Sequence, residues 1–149
     1  MSGLDGPHRS VDWAAVDPLP ILRRYFAARR DLVAAWLFGS VARGQARPDS
    51  DLDVAILLPG RGFDPIEAQM LADDIQADLV EALGGARAID VVPLNGADLE
   101  FSFRVLRDGQ LLLDADHRAR LLFELHTMQN YWDFMPVIEA YRRAARERA

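Results

Sequence analysis

Gly39 and Ser40 are followed by ten residues and then by Asp51 and Asp53, and these residue types at this spacing are suited to handling phosphate and a cation. The apolar, aromatic run from Val33 to Phe38 reads as a buried strand that ends at Gly39. A glycine there lets the backbone approach a phosphate closely and adopt dihedrals that other residues resist. Ser40 offers a hydroxyl and a backbone N–H at what reads as a helix N-terminus, where unpaired N–H groups favour anions. Gly44 and Pro48 then close a tight excursion before the next strand. In that strand Asp51 and Asp53 are two residues apart, so both carboxylates point to one side.

Leu52, Val54, Ala55 and Ile56 give this strand no structural reason to carry two acids on one face. Like charges so close repel, and without a counter-charge one carboxyl is pushed toward its protonated form. A divalent cation removes the conflict, and a set of oxygen-only ligands points to magnesium or manganese bridging phosphates. The bland alternative is a turn at Asp49, Ser50 and Asp51 with Asp53 merely solvated. A lone Asp-x-Asp has a high false-positive rate; joined to a strand-ending Gly-Ser, the functional reading prevails. Metal-assisted phosphoryl chemistry usually needs a third acid, as ligand or as acceptor of the attacking hydroxyl's proton. Asp90, set among Ile89, Val91 and Val92, is the candidate, and its alternative is an edge-strand aspartate facing solvent.

The elements that must position these residues follow from periodicity and punctuation. Residues 1 to about 17 read as a loose leader, and 18–149 as one domain. Pro18 to Arg30 has helical spacing, with Ile21, Leu22, Tyr25 and Phe26 on one face. Pro59 to Gly62 is a loop, and Asp64-Pro65 starts a helix that runs to Leu83, buries Ile66, Met70, Ile75, Leu79 and Leu83, and stops at Gly84-Gly85. Ala88 to Leu94 is a third strand, Ala97 to Arg107 a helix, and Gln110 to Ala115 a short edge strand. From Asp116 onward the chain is helical, with Leu121, Leu125, Met128, Trp132 and Met135 in a stripe that reads as core packing. Pro136 should kink or break that helix. Tyr131, Trp132, Phe134 and Tyr141 exceed what one stripe can bury, so part of the group is expected to face a partner.

Composition bounds the rest. The chain has 149 residues, half of them hydrophobic, which is enough for one domain with its own core. A formal charge of −6 argues against nucleic acid as the main partner. The absence of cysteine excludes disulfides and thiolate metal sites and fits a reducing, cytoplasmic setting. Every basic side chain apart from the three histidines is arginine, so no lysine-dependent mechanism is available. His117 and His126 are nine residues apart, on opposite helix faces, and form no metal pair.

The segment GSVARGQARPDSDLDVAIL, followed by IDVVPLN, resembles the nucleotidyltransferase superfamily and within it the minimal nucleotidyltransferase (MNT) branch. Gly-Ser, ten residues, then Asp-x-Asp between strands is that superfamily's hallmark. The resemblance runs from about residue 34 to the C-terminus, where YWDFMPVIEAYRR resembles the tail of MntA-like antitoxins paired with HEPN toxins. It implies an α/β (α+β) polymerase-beta-like fold: a small mixed sheet flanked by helices, with a C-terminal helical extension. It implies that Gly39 and Ser40 hold the nucleotide triphosphate, that Asp51 and Asp53 bind Mg2+ or Mn2+, and that Asp90 completes the acid triad. Arg43 matches the arginine of the branch's GSxARG, either contacting phosphate or bracing the loop. The activity implied is transfer of AMP from ATP to a tyrosine hydroxyl of a HEPN ribonuclease toxin, which silences it. Two rivals stand beside this reading: a small-molecule, antibiotic-type nucleotidyltransferase, and a stoichiometric antitoxin without catalysis.

Overall fold

The computed structural model describes residues 11–44, 50–60 and 64–149. The expected turn residue Pro48 and the end of the Pro59–Gly62 loop lie outside these residues, as does most of the expected leader. Four strands form one mixed sheet, β1 (Ala34–Phe38), β2 (Leu52–Leu57), β3 (Ile89–Pro93) and β4 (Gln110–Asp114), in the order β3-β2-β1-β4. The central strand β1 runs antiparallel to both neighbours, β2 and β4, whereas β2 and β3 are parallel. That parallel pair requires a crossover, and α3 (Pro65–Ala82) supplies it. The remaining helices are α1 (Pro18–Ala27), the four-residue α2 (Gly39–Ala42), α4 (Leu99–Asp108) and α5 (His117–Glu147).

Each of the four longer helices begins on an aspartate whose side chain accepts a backbone N–H. Asp17 takes Leu19, Asp64 takes Ile66, Asp98 takes Phe101 and Asp116 takes Ala119. Such caps satisfy donors that the first turn leaves unpaired. The sheet alternation then sorts side chains into two layers. Ala35, Leu37, Val54, Ile56 and Val91 face α1 and α3, meeting Leu22, Phe26, Ile75 and Leu79. Ala34, Trp36, Ala55 and Leu57 face the other way, toward Phe101, Val105 and Leu106 of α4 and Phe123 of α5. The Tyr25 hydroxyl donates to Asp78 at 2.6 Å, which ties α1 to α3. Gly84, at φ +66°, lies against the Trp13 ring, where any Cβ would collide with the indole.

Three expectations need correction. The inner face of α3 is Ala68, Ala72, Ile75 and Leu79, while Ile66 and Met70 are 71% and 62% exposed. At 100° per residue, positions 66 and 70 lie opposite that face, which packs two alanines together with Ile75 and Leu79. In α5, Leu121, Leu125, Met128 and Trp132 are exposed and only Met135 of the stripe is buried. The helix instead turns Ala119, Phe123 and Thr127 inward. Nor does Pro136 break α5, which is one helix of 31 residues. Contacts with α4 hold it on both sides of the proline: Tyr131 stacks on Phe103, and Arg142 pairs with Glu100 at 3.1 Å. Those contacts outweigh the loss of one backbone hydrogen bond. Among the described residues no helix is long and apolar enough to cross a membrane.

The α3 assignment is testable. Ile75→Ala should lower unfolding free energy by about 2–5 kcal/mol, while Met70→Ala should stay within about 0.5 kcal/mol of wild type. Urea denaturation of the two variants checks this, and comparable losses would contradict the placement of the helix faces.

Candidate active site

The register across three strands builds the site. Phe38 is the Cα partner of Asp53, and Asp53 is the partner of Asp90. Asp53 alternates with Ala55 and Leu57, so its carboxylate points to the α4–α5 side of the sheet. As parallel neighbours in register, Asp53 and Asp90 point the same way. Asp51 sits one residue before β2 and is exposed, as is Asp90; Asp53 is half-buried. Burial pushes the Asp53 carboxyl above the ordinary carboxylate range, and the negative charges of Asp90 and Asp51 push it further. Asp51 and Asp90 therefore both act on Asp53, the acid that stands between them.

Gly39 opens α2 with φ +78°, a backbone region that side chains rarely adopt. Its Cα also lies against the Asp53 carboxylate, so an added Cβ would overlap Asp53 Oδ2. Both observations make glycine obligatory where the turn meets the acid strand. Ser40 follows in the first turn of α2 and is half-buried. The short helix is fixed from the side by Gln110 of β4, whose Nε2 donates to the Ala42 carbonyl at 2.9 Å.

Beside this turn a cleft of about 420 Å3 opens between α2 and α4, of a size that suits a small ligand. Phe38 and Phe101 meet edge to face at its apolar end, and Arg43, Arg104, Arg107 and Asp108 line the rest with Gly39. Arg107 grips Asp108 through two hydrogen bonds of 2.9 and 2.8 Å. Asp108 is held below the usual carboxylate range by that pair, and the charges of Arg43 and Arg104 add to the effect. Three guanidiniums thus converge on one cleft. Among the described residues, Arg43 and Arg104 line this cleft with no hydrogen-bond or ion-pair partner of their own.

Arg104, Arg107, Phe101 and Asp108 escape a reading of the sequence. Their signal is weak but present: Phe101, Arg104, Val105 and Asp108 follow i, i+3, i+4, i+7 spacing, so one face of α4 mixes an aromatic, a buried valine and two charges. Nothing local says that this face meets the Gly-Ser turn.

The acid set is all oxygen and crowded with like charge, which is the donor chemistry of a hard divalent cation. Among the described residues, however, no three His, Cys, Asp or Glu side chains close around one point as they stand. A cation would have to draw Asp51, Asp53 and Asp90 inward.

A Gly-Ser turn at the end of one strand, set against in-register acids on the next two, defines the catalytic face of a nucleotidyl-transfer fold. The chain belongs to the family described as Polymerase beta, Nucleotidyltransferase, whose family model matches residues 21–118. No curated protein matches the sequence. Among solved structures the chain is similar to one from a toxin–antitoxin complex with AMP-PNP, at 23% identity and TM-score 0.62, covering 86% of this chain and 95% of that one. It is also similar to a chain in the Shewanella oneidensis complex of a tri-AMPylated HEPN toxin with its MNT antitoxin, at 22% identity and TM-score 0.62, covering 87% and 98%. A third, the toxin–antitoxin pair MntA–HepT, gives 24% identity and TM-score 0.57 over 85% and 91%. The fold expected from the sequence is the fold observed.

The electrostatics of Asp53 set a stability test. Its folded carboxyl binds protons more tightly than the unfolded one, so the ionised form weakens the fold at neutral pH. That penalty is released as pH falls through the raised folded value, and it is gone below the ordinary unfolded value. In EDTA, Asp53→Asn should therefore raise the melting temperature near pH 7, with the gain vanishing toward pH 3. A mutant no more stable than wild type at neutral pH would contradict the crowding.

Proposed function

We propose that this chain is a metal-dependent adenylyltransferase that moves AMP from ATP to a tyrosine hydroxyl of a HEPN-type toxin and thereby neutralises it. One observation carries the chemistry: Asp53, in register with Asp90 on one face of the sheet, lies against Gly39, which lines an arginine-rich cleft. The acceptor is supported by the shared fold with an MNT antitoxin found in complex with a tri-AMPylated HEPN toxin.

In this reading the cleft takes the triphosphate. Arg43 and Arg104 neutralise the β- and γ-phosphates, and Ser40 and the backbone of its turn hold the chain of phosphates in place. Asp51, Asp53 and Asp90 would hold Mg2+ or Mn2+, which when bound supplies charge neutralisation at the α-phosphate. The tyrosine oxygen attacks the α-phosphorus, the bond from that phosphorus to the bridging oxygen breaks, and pyrophosphate leaves. The hydroxyl proton passes to a carboxylate, with Asp90 the exposed member of the in-register pair and so the acceptor of choice. The arginines keep the departing pyrophosphate charge in place, so the leaving group needs no proton.

Two experiments test the reading. Incubation with α-labelled ATP, Mg2+ and a HEPN-type toxin that binds this chain should transfer label to a tyrosine of that toxin. Asp53→Asn should cut the rate by at least about 1,000-fold. Stoichiometric neutralisation without label, or near wild-type transfer by the mutant, would overturn it. Separately, Arg104→Gln should weaken binding of a non-hydrolysable ATP analogue by about 10-fold or more, since a charge-assisted pair to phosphate contributes about 1.5–3 kcal/mol. Calorimetric titration checks this, and an unchanged affinity would remove Arg104 from the site.

A further inference from the structure

Most of the outward face of α5 is left uncovered by the domain's own packing. Leu121, Leu125, Met128 and Trp132 are 45%, 56%, 37% and 69% exposed, with Leu122 widening the patch at its start. Their spacings of four, three and four residues keep them in one line along the helix and continue to Met135, which is buried. This is the spacing of a seam that receives another helix lying nearly parallel to it. The patch covers several hundred Å2, the upper end of what a monomer leaves bare. That suffices for the apolar centre of an interface burying about 800 Å2 on each partner.

We propose that this seam docks a helix of the toxin, an inference that rests on the adenylyltransferase reading above. Continuity with the cleft selects that occupant. At the seam's inner end the Trp132 ring meets Phe103 edge-on at 6.0 Å and Tyr131 at 5.6 Å. Phe103 is stacked against Tyr131 and lies beneath the Arg107 guanidinium, 5.9 Å from its ring centre. Arg107 in turn lines the cleft. A helix seated on the seam therefore abuts the Phe103–Tyr131–Arg107 cluster that borders the cleft, the position from which an acceptor hydroxyl can reach it. A second copy of this chain would cover the same apolar area without presenting an acceptor. The other exposed apolar pair, Ile66 and Met70, belongs to α3, on the opposite side of the sheet from the acids. Phe134, Val137 and Tyr141 are also exposed, but they project from α5 at about 180° to the seam.

The test uses the full chain and a HEPN-type toxin that binds it. The double variant Leu125→Glu/Met128→Glu changes only exposed positions of a continuous helix, so an unchanged melting temperature is expected. It should weaken calorimetric binding of the toxin by about 100-fold or more and slow AMP transfer, with ATP-analogue affinity unaltered. Val137→Glu/Tyr141→Glu should bind the toxin as wild type does. Toxin binding unaffected by the seam variant overturns the proposal. So does a wild-type dimer in sedimentation that the seam variant dissociates while toxin binding persists. Wild-type chain that binds toxin through the seam yet transfers no AMP would leave the docking surface standing and sink the adenylyltransferase reading instead.

Discussion

Asp53 stands in a row that crosses three strands, between Phe38 on β1 and Asp90 on β3, with the Gly39 backbone pressed against its carboxylate. This row sets most of what surrounds it. A half-buried charge beside two like charges is unfavourable, and the fold tolerates it only because the sheet is secured elsewhere. On the opposite face, Leu22, Phe26, Ile75 and Leu79 close a core that does not depend on the acid row. The sheet is thus anchored on its α1–α3 side and free to hold strained electrostatics on the other. The same compression explains the glycine: the Gly-Ser turn approaches Asp53 more closely than any Cβ would permit, which brings the turn and the acid into one small volume.

The helix α4 joins the two halves of the account. Its inner face completes the second core layer with Val105 and Leu106, and its C-terminal turn brings Arg104 and Arg107 beside the Gly-Ser turn. Asp108 stands among the three arginines and holds part of their charge in the absence of a polyanion. The outer side of α4 is covered by α5 through the Phe103–Tyr131 stack and the Arg142–Glu100 pair. One ten-residue helix therefore faces the cleft on one side and α5 on the other.

What could be read from the sequence was local. The strand ending at Gly39, the acid pair, Asp90 within its strand and the proline-started helices depend on short-range spacing and propensity, and each lies where that spacing places it. The arginine cleft depends on α4 folding back onto α2, a contact between residues some 60 positions apart with no local signature. Two misreadings share a cause. The outward stripe of α5 and the Ile66–Met70 pair of α3 both show helical spacing, and periodicity reports that an apolar face exists without saying which body covers it. In α3 the sheet took the face that carries Ile75 and Leu79 with two alanines, and Ile66 and Met70 fall on the other side. In α5 the helix turned Phe123 and Thr127 inward and left its longer stripe outside. Pro136 was overruled by tertiary contacts on both sides of it.

The central claim is that Asp51, Asp53 and Asp90 together with the adjoining cleft form one cation-and-triphosphate site. The most direct measurement is Mn2+ binding followed by electron paramagnetic resonance, with and without a non-hydrolysable ATP analogue. Wild-type protein should bind Mn2+ far more tightly once the analogue is present, because phosphate oxygens complete a ligand set that the three carboxylates leave open. Asp53→Asn should lose that enhancement while keeping its fold. Mn2+ binding that ignores the nucleotide, or that survives Asp53→Asn unchanged, would contradict the account.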